Sequence, residues 1–365
     1  MMLAPAQAKD DAAVAYQITP AHDGHAKTTL KRSLVQKWVR KFGGSVSYPL
    51  IANGMVFVTV PNSKKYGDEL FAINLNTGEV VWKNVIHSKS WGATAAYDNG
   101  RVFVVNPEGV LQAFSADATG TLQWSVKLRG QYAFSAPPMA VNGQVFVGGA
   151  GSGGTLYAVD QATGALNWSV GVENGEDSSP AFGDGGIYVT YPCQYYKFSP
   201  KSGALLWNPP SSCDGGGGAT PAYHSGRLYS PQDQVILDAG TGATVGSLGT
   251  NIVPAFSKTS DGDHQFALVS GNLTATDLAT GEVLWSFAGD RGLITPPIVV
   301  GSLVAVGSQF GEIYLVNAKT GSEVWSANAG ASIQGRGDPL PGLSAAEGML
   351  IVPAENLLVA YGPAN

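Results

Sequence analysis

The chain has 365 residues, 48 of them glycine, nearly twice ordinary usage, and only 13 % are charged. So many glycines suit tight turns, and so few charges leave little for the polar faces of helices, so composition predicts an all-β chain. A net charge of −6 excludes a strongly basic nucleic-acid face, and no apolar run reaches the roughly 18 residues of a membrane span.

Residues 1–14 read as a disordered tail or the remnant of a signal peptide. Ala6-Gln7-Ala8 resembles a cleavage site, but the apolar segment before it is missing, and a cloning or gene-model start reads equally well. Residues 15–34 have little periodicity and read as an irregular strap along the surface of the domain that follows. His22 and His25 in this strap are spaced for a metal pair, but without further ligands they read as polar surface. Val35–Phe42 (VQKWVRKF) is a spare strand carrying Trp38.

From there a strand followed by A-x-[DN]-x-x-[TS]-G-x-x-x-W recurs: AINLNTGEVVW from Ala72, AFSADATGTLQW from Ala113, AVDQATGALNW from Ala158 and KFSPKSGALLW from Lys197. LDAGTGATVG from Leu237, ATDLATGEVLW from Ala275 and LVNAKTGSEVW from Leu315 complete seven copies. The turn glycines, Gly78, Gly120, Gly164, Gly203, Gly242, Gly281 and Gly321, recur every 39 to 44 residues, the length of one four-stranded propeller blade.

Within a blade the innermost strand follows a proline signal such as Ser179-Pro180 or Thr220-Pro221. A hairpin such as Asn99-Gly100 leads to the second strand, and the Asx-x-x-Thr-Gly turn joins the third to the fourth. The fourth carries the Trp, read as filler between neighbouring sheets. Gly348–Val352 and Asn356–Ala360 begin an eighth blade that has no Trp strand of its own, and Val35–Phe42 is expected to complete it. The prediction is an eight-bladed β-propeller with four-stranded antiparallel blades, a single domain over 35–365. Val245-Gly246 stands where blade five should carry its Trp, so that outer strand should be the looser one.

The tryptophan-docking motif resembles that of the pyrroloquinoline quinone (PQQ) repeat propellers, over about residues 35 to 361. The resemblance implies either a quinoprotein dehydrogenase or a scaffold of the BamB type, and the BamB type is closer. The dehydrogenases are much longer and carry adjacent cysteines over the quinone and a bound calcium, neither of which can be matched to these residues. PQQ and calcium are therefore not expected. The lipid-anchored N-terminal Cys of the BamB type has no counterpart among these residues either.

In such a propeller the loops leading into the innermost strands surround the channel mouth. Here these mouth loops carry His87, Trp91, Arg129, Tyr132, Asp177, Asp214, Asp290, Arg291, Arg336 and Asp338. Aromatic rings beside charged groups suit a small polar molecule, a glycan or a peptide, with a protein partner as the further option. Asp177, Asp214 and His87 are the candidates for acid–base work. The run Gly215–Gly218 has no helix after it and so reads as close backbone approach rather than a phosphate loop. Cys193 and Cys213 fall on neighbouring loops of the same face. A disulfide between them would close a loop of about 20 residues, contribute roughly 3 kcal/mol in the chain-entropy view, and imply an oxidising compartment. The expectation is a monomeric, secreted or periplasmic binding or scaffold protein. A carbohydrate-active enzyme is the alternative, and a PQQ-dependent dehydrogenase ranks third.

Overall fold

The computed structural model describes residues 11–62, 64–210, 215–334 and 340–364. They form eight antiparallel sheets around one axis, and no helix occurs among the described residues. Blade one is Leu50–Ala52, Met55–Pro61, Asp68–Asn74 and Val80–Ile86, from the channel outwards. Six further blades repeat this order. The eighth contains Ser344–Ala346, Met349–Ala354 and Leu357–Pro363, and Leu34–Lys41 from the other end of the chain completes it. The register Trp38↔Ala360 closes the ring, so no sheet is left incomplete.

The burial pattern follows from packing blade on blade. Second strands such as Met349–Ala354 and Gly186–Tyr191 are buried at every position, because both faces meet a neighbouring sheet. Outer strands such as Leu122–Lys127 and Leu166–Val172 alternate between exposed and partly covered residues. Few strands have a fully solvated face, which accounts for the low charge.

Six of the eight tryptophans repeat one contact, and a seventh varies it. The indole of Trp168 lies over Gly203 in the turn of the next blade, where a Cβ would sit 2.7 Å from the ring, and its Nε1 donates to Pro200 O at 3.0 Å. Trp38, Trp82, Trp124, Trp207 and Trp285 do the same to Leu75, Asp117, Gln161, Ala239 and Ala318, each three residues before the turn glycine. Trp325 donates to Leu34 O across the closure of the ring. Blade five breaks the series. Its outer strand, Thr244–Ser247, is exposed throughout, and nothing lies within 4 Å of a Cβ at Gly281, the turn its missing Trp would cover.

The N-terminal segment does not run along the surface. Ala13, Ala15, Tyr16, Ile18, His22 and Ala26 are all buried. The segment circles the channel and meets one interior residue of each innermost strand it reaches. The N–H groups of Ile51, Tyr97, Phe182, Tyr223, Phe256 and Val299 donate to the carbonyls of Ala13, Val14, Pro20, Ala21, Asp23 and Gly24, at 2.7 to 3.0 Å. His25–Ala26 then pairs in parallel with Ile298–Val300, and Thr28 Oγ1 accepts from Gly348 N at 2.8 Å. One strap thus reaches seven of the eight blades, missing only the third.

Following this ring bends the backbone sharply. Gln17, Ile18 and His22 have φ of 54°, 73° and 54°, a region costly for non-glycine residues and most of all for a β-branched one. Gly24, at φ 63°, lies where a Cβ would be 2.6 Å from that of Ala255. His22 is an internal bracket rather than surface. Its Nδ1 lies 2.6 Å from Tyr16 O and its Nε2 3.0 Å from Pro180 O. Burial holds its pKa below the ordinary histidine value, against the opposing pull of those two carbonyls and of Asp23.

Candidate functional site

At the other end of the channel lies a cavity of about 660 Å³. Its wall takes residues from the mouth loops of every blade except the first, so it sits on the propeller axis. Tyr16 from the strap also lines it and packs edge-on against Tyr48 at 5.4 Å. The strap thus forms part of the wall of this pit.

The wall is mostly small and apolar, with Pro107, Pro137, Pro231 and Pro296 around it and Phe134 at its side. Phe134 is buried because Gly109 and Gly149 leave a slot for its ring, with Cβ positions 2.2 and 2.6 Å from ring atoms. Polar groups enter through Ser90, Ser135, Thr220, Gln232 and Asn251. Among the described residues, Asp177 is the single charged one on the wall. It is exposed, has a φ of 55°, and is held through its backbone N–H, which donates to Ser135 Oγ at 3.2 Å.

Of the residues expected at the site, Trp91 and Asp177 line the cavity. Trp91 is 42 % exposed, packs on Tyr66 with ring centroids 4.9 Å apart, and donates its Nε1 to Asn62 O and Lys65 O at 3.3 and 3.4 Å. The others with described positions lie outside the wall. His87 is exposed, and only its backbone is engaged, with Asn106 Nδ2 donating to His87 O at 2.8 Å. Arg129 is exposed, and its carbonyl accepts from Tyr157 OH at 2.6 Å. Tyr132 is 73 % exposed. Asp290 braces its own loop by accepting from Gly292 N at 2.9 Å and from Ser308 Oγ, and leaves Arg291 exposed. Asp214, Cys213, Arg336 and Asp338 lie outside the described residues.

The glycine run is tied down by backbone contacts. Asn174 Nδ2 donates to Gly215 O and Gly217 O at 3.0 and 2.5 Å, and Glu176 Oε2 accepts from Gly217 N at 3.1 Å. A Cβ on Gly218 would lie 2.4 Å from Glu176 O. Sequence reading missed Asp68, which is fully buried and accepts from the backbone N–H groups of Gly92 and Ala93 at 3.3 and 3.1 Å, fixing the loop that carries Trp91. Its signal was an acid at the head of a strand that runs on through Leu70–Ile73. Phe310, 63 % exposed beside Gly292, was also missed.

A calcium–quinone pair would need several oxygen ligands at one point. Among the described residues the wall offers one carboxylate, and no group of three His, Cys, Asp or Glu could hold a metal ion. The donor set does not suit that pair.

Eight four-stranded blades, tryptophans docked on the turn glycines and a ring closed by an N-terminal strand define an eight-bladed propeller of the PQQ-repeat class. The chain belongs to the family described as outer membrane protein assembly factor BamB, whose family model matches residues 25–154, 152–288 and 269–362. An outer membrane protein assembly factor BamB from Moranella endobia is 26 % identical over 281 residues, 68 % of this chain and 72 % of that protein. A quinohemoprotein alcohol dehydrogenase, ADH-IIG from Pseudomonas putida, is 26 % identical over 262 residues, 67 % of this chain but 32 % of the dehydrogenase. The fold of BamB from Moraxella catarrhalis superposes with a TM-score of 0.64 at 18 % identity, covering 91 % of this chain and 100 % of that one.

Proposed function

We propose that the protein is a non-catalytic binding scaffold of the cell envelope, secreted or periplasmic, that engages its target at the channel mouth without a quinone cofactor. The observation that carries this reading is the cavity on the axis, lined by exposed Trp91 and by Tyr16 of the strap, with Tyr132, next in sequence to the lining Ala133, and Phe310 also exposed. Family membership supports it, because a relative of similar length is named an assembly factor, whereas the dehydrogenase is about three times longer than the matched segment. His87 lies off the cavity wall, so it does not join Asp177 in a general acid–base pair there.

An oxidising compartment is supported by Cys193, which is not a free thiol; Cys213 is the other cysteine of the chain. Mass mapping without reductant should find the two joined, and two free thiols would remove this support.

A photo-crosslinker at Tyr132, tested against one at Leu206 on an outer strand, addresses the scaffold reading. In the native envelope a discrete adduct should form from position 132 and be absent from 206. Adducts of equal yield from both positions would overturn the mouth as the binding face. Turnover of oligosaccharides that is abolished by Asp177→Asn would replace the scaffold with a carbohydrate-active enzyme.

A further inference from the structure

The proposal here rests on the mouth as the binding face and names what the pit itself takes. We propose that the pit binds an organic cation, an ammonium group attached to a small apolar body. The argument is one of charge and shape. Among the described residues that line the cavity, Asp177 is charged and no lysine, arginine or histidine is present. Among the described residues no side chain forms an ion pair with it. The rest of the described wall is uncharged, and Trp91, Phe134 and Tyr16 bring aromatic rings to it.

An anion entering this pit would meet a carboxylate with no cation to offset it. A neutral donor gives that exposed carboxylate a hydrogen bond but no opposite charge. A cation alone satisfies both the carboxylate and the ring quadrupoles, the combination used in recognition of ammonium groups. The volume of about 660 Å³ lies within the range of small-molecule sites and leaves room for an apolar body against the prolines. The chain's net charge of −6 draws cations towards it.

The left-handed backbone at Asp177, φ 55°, makes asparagine the suitable probe, since Asn tolerates this conformation nearly as well as Asp. The test is calorimetric titration of the full chain with choline, with its uncharged carbon isostere 3,3-dimethylbutan-1-ol, and with putrescine. Choline separates a quaternary from a primary ammonium, and the isostere separates charge from shape. Saturable binding of at least one cation is expected, weakened about tenfold in Asp177→Asn and in the isostere, weakened several-fold in Trp91→Ala, and reduced by salt. Three results would overturn the proposal: the isostere binding as well as choline, Asp177→Asn binding unchanged, or no saturable binding of either cation up to about 10 mM. A crosslink from Tyr132 that persists in Asp177→Asn would leave the scaffold reading standing while the cation reading fails. Loss of that crosslink with cation binding intact would do the reverse.

Discussion

At the strap end of the channel, the chain bends through three left-handed residues and buries a histidine in order to cap six inner-strand N–H groups. At the mouth end, Asp177 and Arg291 have comparable φ values of 55° and 64°, yet both are exposed. The same innermost strands run between these two ends. The difference lies in what satisfies their surroundings. A backbone N–H facing a narrow channel must find a partner or lose roughly 1–3 kcal/mol, and the strap supplies carbonyls in chain order. At the mouth water is available, so the loops are free to carry charge and rings. Backbone strain is thus spent on closure at one end and presents side chains to solvent at the other.

The sharpest way to break this comparison is to remove the strap. A chain lacking residues 1–30 loses six strap hydrogen bonds and the burial of Tyr16 and Ile18, and it should be destabilised by about 5 kcal/mol or more. Denaturant unfolding would measure the loss, and a truncated chain as stable as the full one would show that the strap is ornamental. Next in size, Trp168→Ala empties a docking site between blades three and four and should cost about 3–5 kcal/mol. The reverse experiment lies in blade five. Gly246→Trp places an indole where Gly281 now faces open space, with Leu278 O standing where the other blades offer an acceptor. It should gain about 1 kcal/mol, or roughly 2 °C in Tm. A loss of stability would mean that this outer strand cannot hold the shared geometry.

A smaller effect concerns His22. Its folded pKa lies below its unfolded value of about 6.5, so protonation favours the unfolded chain. The stability it contributes is fully present above about pH 6.5 and is lost as pH falls through the depressed folded pKa. His22→Gln should flatten this part of the Tm–pH curve, and an unchanged slope would assign it to other groups. At the mouth, Asp177→Asn should change stability by less than about 0.5 kcal/mol, the contrast the comparison demands.

Much of the propeller was legible because its signals are local and repeated. The turn glycines, the tryptophans four residues beyond them and the Asx–Thr turns recur from blade to blade with few departures, and even the defect at Val245-Gly246 appeared as a gap in the series. The closing strand was expected at Val35–Phe42 and lies at Leu34–Lys41. The strap was not legible as a buried element. Its residues bond through backbone carbonyls, which every residue type carries, so the segment shows no apolar period. For the same reason His22 read as surface polarity although it is wholly buried. At the mouth, the loops that could bear a site were identifiable. Which of their side chains share a wall was not, because His87, Arg129, Tyr132 and Arg291 lie in the same kinds of loop as Trp91 and Asp177.

By itself the sequence determined the blade, its number and the way the ring closes, since each depends on contacts between neighbouring strands and adjacent repeats. Only the tertiary structure decided that the strap is buried along the channel and that a pit remains at the mouth with, among the described residues, a single carboxylate on its wall. Those features depend on loops and carbonyls from seven different blades meeting on one axis, at separations in the chain that no local pattern records.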